Sequence, residues 1–222
     1  FALRVLKENA RLHDKKLSSL DIGFYIAPQI NALGRLDDAR DGVVFLLGSN
    51  KEDTLRVGKM LGHLNEARRE IERKVSEEII ATIESGTIPL TDALVIVGTG
   101  WQPGVVGLVA SRIASKYGRT AIVLHKTTDG LVKGSCRSIP DFNLFAALSQ
   151  CASMLVSFGG HAMAAGVCLK EVDVERFRAQ LSQIVRDTIG PRDGRLPIII
   201  DGVLPLSDIH RPLVHDLAYL EP

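Results

Sequence analysis

The chain has little cysteine, few aromatics and almost no net charge, and each scarcity removes a class of explanation. Its three cysteines, at 136, 151 and 168, are odd in number and show no Cys-x-x-Cys spacing. That argues against a disulfide framework or a zinc site and for reduced core thiols in a cytoplasmic protein. Lysine and arginine number 27 against 26 acidic residues, a formal net charge of +1. Any surface for a polyanion must therefore be a local groove and not a broad basic face. No apolar run is long enough to span a bilayer, and the amino terminus carries no signal-peptide pattern. The histidines at 13, 63, 125, 210 and 215 lack paired ligand spacing, and Asp37, Asp38 and Asp41 fit a helix start better than a metal site.

What the chain does have is enough apolar material, 45% of 222 residues, for one large domain or two small ones. Residues 3–12 alternate apolar and charged positions at helical spacing, and the chain opens on Phe1, so it reads as part of a longer one. Asp37 and Asp38 precede a predicted helix over 39–47 that ends at Gly48. From Leu55, apolar residues recur every three or four positions through Met60, Leu64, Ala67, Ile71, Val75, Ile79 and Ile83. One continuous helix to Glu84 would run about 50 Å, longer than a small domain needs. Beyond Pro89, strands are expected at 93–97, 120–124, 131–138 and 165–169. Helices are expected at 104–117, 144–155 and 174–189. Such alternation predicts an α/β domain, a mixed sheet flanked by helices. A last strand is expected at 198–203 and a short helix at 208–219.

The most distinctive stretch is 157–166, Ser-Phe-Gly-Gly-His-Ala-Met-Ala-Ala-Gly. Gly159 and Gly160 are free to take positive φ and turn their N–H groups toward an anion, and His161 can donate a hydrogen bond or carry charge. The small residues that follow leave room for a ligand to lie against a strand. An ordinary glycine turn with a satisfied histidine is the plain alternative. Arg137, between Ser135 and Ser138, has the fork geometry for phosphate oxygens, or is a surface arginine on an edge strand. Lys133 adds charge to the same segment, or is simply solvated. Arg35 is read in a Gly-Arg-Leu turn ahead of a helix start, where a cation is unfavourable unless it faces an anion, or pairs with Asp37, Asp38 or Asp41. Asn31 suits a cap. Trp101, the single tryptophan, stands before a helix start and either packs it or stacks on a base.

Residues 157–166 resemble the GGHxxAAG signature of the DHH-associated domain of the DHH phosphoesterase superfamily. Residues 23–36, Gly-Phe-Tyr-Ile-Ala-Pro-Gln-Ile-Asn-Ala-Leu-Gly-Arg-Leu, resemble the GFxxxPxxNAxGRL block of the RecJ exonuclease family. Residues 101–107 resemble WHxGVxG with Gln102 in place of histidine, and 133–138 resemble KGSGRS with Cys136 in place of glycine. Four blocks in order are far more specific than one.

The resemblance implies residues 1–50 as a helical remnant of a DHH domain and 51–85 as a long connecting helix. It further implies 86–190 as the DHH-associated substrate-binding domain and 191–222 as a following domain or tail. It implies metal-dependent 5′-to-3′ hydrolysis of single-stranded DNA in repair and recombination, with Mn²⁺ or Mg²⁺ held outside this chain, which has no Asp-His-His triplet and no Asp-x-Asp. His161 is the implied catalytic-site residue. Arg35, Trp101, Ser135, Arg137, Ser138, Gly159 and Gly160 are the implied substrate contacts. Single-stranded DNA is the implied partner, with a single-strand-binding protein and a RecQ-type helicase beside it. A phosphodiesterase for short oligonucleotides or cyclic dinucleotides, and a catalytically inactive scaffold, are the competing readings.

Overall fold

The structure is a computed structural model and describes residues 1–48, 50–191, 198, 200–217 and 219. It divides into two compact units, Phe1–Arg68 with Pro197–Pro222, and Arg69–Leu196.

In the first unit, α1 (Ala2–Asn9), α2 (Ser19–Asp21), α3 (Ala27–Leu36), α4 (Arg40–Leu47) and the first half of α5 (Lys51–Glu84) enclose a small core. Val5, Leu6, Ile26, Leu33, Phe45, Val57 and Leu61 form it. Ser18 and Asp21 make a reciprocal capping box at α2. A single π-helical turn, Ile22–Ile26, leads from α2 into α3. Gly48, at φ 61°, ends α4 as expected. The Asn50 side chain accepts the Glu52 N–H at 2.8 Å and starts α5. At Gly58 a Cβ would lie 2.3 Å from Val5 Cγ1, so α1 crosses α5 at a point where only hydrogen fits. A short helix, α9 (Arg211–Leu217), lies near the carboxy terminus.

The second unit is an α/β domain with a five-stranded mixed sheet, β1 (Ala93–Gly98), β2 (Thr120–Lys126), β3 (Leu131–Arg137), β4 (Leu155–Gly160) and β5 (Ala164–Lys170), in the order β1-β2-β3-β5-β4. β1 and β2 are parallel, joined through α6 (Pro103–Tyr117), and the remaining pairs are antiparallel. One face carries the main core, where Val95, Ile122, Leu124, Val132, Val167 and Leu169 meet Leu148 of α7 (Leu144–Gln150) and Phe177, Leu181 and Val185 of α8 (Val174–Ile189). Burying a side chain of this size contributes about 1.5–3 kcal/mol, so this face holds the unit together. The other face is covered by α6, which packs on β2 and β3. Buried Asp92 ties the start of β1 to the end of α8, accepting from Arg186 Nη2 at 2.8 Å and pairing with Arg119 at 3.5 Å.

Several expectations need correction. Arg35 is not in a turn before a helix but in the last turn of α3, where the helix dipole favours a cation. Asn31 is an exposed mid-helix residue and caps nothing. Pro28 sits in the first turn of α3, where a missing N–H costs nothing, which is why the block around it is helical after all. The helix expected at 144–155 stops at Gln150, and the chain enters β4 after one 3-10 turn. The helix expected at 3–12 ends at Asn9. The described residues of 198–203 form no strand, and Ile199 lies outside the described residues. The helix expected at 208–219 is confined to Arg211–Leu217.

Candidate functional site

The register of the sheet assembles the site. Ser135 on β3 is paired with Gly166 on β5, and Gly166 with Gly159 on β4. Partners in register share a face, so these three make a row across the sheet, and Arg137, paired with Ala164, stands one step along it. The face is the one that α6 covers at β2 and β3. A Cβ at Gly107 of α6 would lie 3.1 Å from both Arg137 Nη2 and Ser135 Oγ, which fixes those side chains on the helix side. Gly166 and Gly159 are exposed. A Cβ at Gly159 would find nothing within 4 Å, and one at Gly166 only the Gly134 carbonyl oxygen at 3.7 Å. The fold therefore leaves a floor of bare backbone on two strands, flanked by a hydroxyl and a guanidinium. Glycine weakens a strand by up to about 1 kcal/mol relative to better strand formers, and neither position needs it for packing.

Gly160 is different. Its φ is +147°, and a Cβ would sit 2.4 Å from the Ala164 carbonyl oxygen, so the fold itself requires glycine there. The Gly-Gly pair is thus not a turn. Both residues belong to β4, Gly159 does not take positive φ, and the reversal falls on 161–163.

That tip is held on three sides by backbone. The His161 N–H donates to the Ala164 carbonyl at 2.8 Å, the Ser138 N–H to the Met163 carbonyl at 2.9 Å, and the Leu144 N–H to the Ala162 carbonyl at 2.9 Å. His161 is exposed on this tip, so its imidazole is open to a ligand. Ser138 is buried and donates its hydroxyl to the Phe142 carbonyl at 2.7 Å, so it acts by fixing the loop.

Arg137 Nη1 donates to the Cys136 carbonyl at 2.9 Å, which orients the guanidinium. Cys136 itself is fully buried in the core on the opposite face. Strand alternation therefore keeps its side chain away from the pose of Ser135 and Arg137. Burial pushes the Cys136 thiol up to about 12 and the Cys151 thiol up to about 11, so both stay protonated and inert. Lys133 lies exposed two residues from Ser135 on the same strand face.

Trp101 is 8% exposed, packs where a Cβ at Gly98 would be 2.2 Å from its ring, and donates Nε1–H to Glu78 at 3.1 Å. These surroundings support packing and leave little ring surface for a base. Gln102 is exposed at the start of α6. Arg35 belongs to the other unit, so Ser135, Arg137, Gly159, Gly160 and His161 are the residues brought together. Sequence reasoning misses Gly107 as a site residue and gives Gly134 no role, although both stand in the motif blocks. Gly134 is forced by β2, since its Cβ would lie 1.9 Å from the Val123 carbonyl oxygen.

Comparison with known proteins agrees with this fold. The model of the DHHA1 domain matches residues 90–187. The chain is 37% identical over 202 residues to the single-stranded-DNA-specific exonuclease RecJ of Bacillus subtilis, covering 90% of the chain and 26% of that protein. It is 33% identical over 214 residues to RecJ of Salmonella typhimurium, covering 93% and 37%. Residues 90–187 are thus similar to a DHHA1 domain, and most of the chain is similar to part of RecJ. The crystal structure of RecJ in complex with Mg²⁺ from Thermus thermophilus superposes with a TM-score of 0.84 at 26% identity, over 100% of the chain and 33% of that structure. A crystal structure of exonuclease RecJ bound to manganese gives 0.71 at 26% identity, over 86% and 46%. The chain thus spans 26% and 37% of the length of these two curated RecJ relatives. Among the described residues no cluster of three or more His, Cys, Asp or Glu could hold a metal, and no helix is long and apolar enough to cross a membrane.

Proposed function

We propose that this chain is the strand-holding part of a RecJ-type exonuclease that degrades single-stranded DNA from its 5′ end in repair and recombination. The observation that carries the reading is the Ser135-Gly166-Gly159 row, with Arg137 and His161 at one end of it. A flat backbone floor accepts an extended strand whatever its bases, while a guanidinium and an imidazole address its phosphates. In this reading Ser135 and Arg137 hold the strand end, and His161 meets the phosphate next to the scissile bond. Arg35, in the first unit, is a further phosphate contact.

The divalent ions of the related structures do not fit the described residues, so Mn²⁺ or Mg²⁺ would be held by residues outside this chain. No hydrolytic step is therefore derived for the residues present, which position phosphate and stabilise charge.

Fluorescence anisotropy of the chain with a labelled, 5′-phosphorylated single strand and with the matching duplex tests the reading. Saturable binding of the single strand, weak binding of the duplex and a loss of about ten-fold in Arg137→Ala are expected. Equal affinity for both, or an Arg137→Ala protein that binds as before, would contradict it.

A further inference from the structure

Beside Arg137, on the side away from the glycine floor, lies a groove of about 380 Å³ between the second half of α6 and the β4–β5 tip. Its walls are apolar, from Ala114, Ile139, Pro140 and Met163, and α6 adds the hydroxyls of Ser111 and Ser115. We propose that it is a nucleoside subsite, which takes the base and sugar of the nucleotide whose phosphate lies against Arg137. This rests on the reading of Arg137 as a phosphate contact and adds what that contact alone does not provide.

The chemistry of the lining selects the occupant. A phosphate pushed into this groove would lose water against four apolar side chains and gain no further cation. A nucleobase would gain by the same contacts. Its π face suits the Met163 thioether and the Pro140 ring, and its area replaces water on apolar surface. Ser111 and Ser115, four residues apart on α6, present their hydroxyls on one face. A hydroxyl both donates and accepts, so the pair can meet the edge of any base or a sugar oxygen without choosing among sequences. Ser111 Oγ donates to the Gly107 carbonyl at 3.1 Å and keeps its lone pairs for accepting.

The volume lies within the range of about 300–1,000 Å³ typical of small-ligand sites. The lining contains no carboxylate, so nothing in it repels a phosphate at Arg137. The wall is also anchored where it must be. The Met163 carbonyl is held by the Ser138 N–H, while its side chain, 49% exposed, is left to adapt to the occupant.

The test is titration of the ¹⁵N-labelled chain with thymidine 5′-monophosphate, 2-deoxyribose 5-phosphate and inorganic phosphate, followed by NMR. The base should add about ten-fold in affinity over the sugar phosphate, with amide shifts at 111–115, 138 and 139 as well as at Arg137. Ser115→Trp fills the groove from an exposed helix position and should bring the nucleotide down to the affinity of the sugar phosphate. Met163→Ala should reduce the difference without filling anything. Equal affinities for nucleotide and sugar phosphate, both lowered by Arg137→Ala, would overturn the subsite and leave the phosphate contact standing. Nucleotide binding that ignores Arg137→Ala would overturn both, as would the absence of any saturable shift at millimolar ligand.

Discussion

A Cβ at Gly160 would meet the Ala164 carbonyl oxygen at 2.4 Å and the Ala165 Cα at 2.5 Å, on a backbone with φ +147°. Its neighbour Gly159 has open space above it. Gly160→Ala should therefore cost roughly 2–4 kcal/mol in urea unfolding, through steric conflict and backbone strain. Gly159→Ala should change stability by less than about 0.5 kcal/mol and yet weaken strand binding about ten-fold. Substitution at Gly107 belongs with the second kind, because its Cβ would press on the ends of Arg137 and Ser135 and not on backbone. These distinctions are only partly legible in the sequence. The blocks around 101–107, 133–138 and 157–166 stand out because glycine and small polar residues cluster there. That Gly107 makes room for Ser135 and Arg137 depends on how α6 packs, which no local pattern encodes. The helical setting of Arg35 is hidden because Pro28 and Gly34 look like breakers, although a helix tolerates proline in its first turn.

Element by element, four of the five strands and the helices of the second unit follow from periodicity, whereas β4, which carries Gly159, and the register that aligns Ser135, Gly166 and Gly159 do not. Register is set by long-range pairing, and a slip of one residue would turn the whole row to the other face. The join between β1 and α8 tests how firmly this frame is held. Asp92 is buried beside Arg119 and accepts from Arg186, so Asp92→Ala leaves a buried guanidinium without that carboxylate. A loss of roughly 3–5 kcal/mol is expected from the urea midpoint. In the first unit, the Lys15 ammonium, 2.8 Å from Asp21, together with the Ser18 N–H, holds the Asp21 carboxyl down to about 2, against the ordinary 3.8. A carboxylate with a depressed folded value stabilises above its unfolded value. That stabilisation is lost as pH falls from about 4 toward 2. Acid unfolding of Asp21→Asn should lack this part of the pH dependence, and a profile identical to the parent would remove the capping box from the account.

At the scale of the whole molecule, a net charge of +1 leaves binding to a few cations near the site. If Arg137, Lys133 and His161 meet about two phosphates between them, log affinity should fall with log salt at a slope of roughly −1 to −2. A much steeper slope would point to a broad basic surface that the composition does not provide. The chain should release no nucleotide from a labelled single strand with Mn²⁺ or Mg²⁺, since among the described residues none cluster as metal ligands. The central claim is that nucleic acid lies on the uncovered half of the sheet beside α6. Mapping the amide shifts of the labelled chain on adding a 5′-phosphorylated single strand tests it most directly. The account predicts shifts concentrated at 134–138 and 157–166; a saturable map centred elsewhere in the chain, with these residues unmoved, would contradict it.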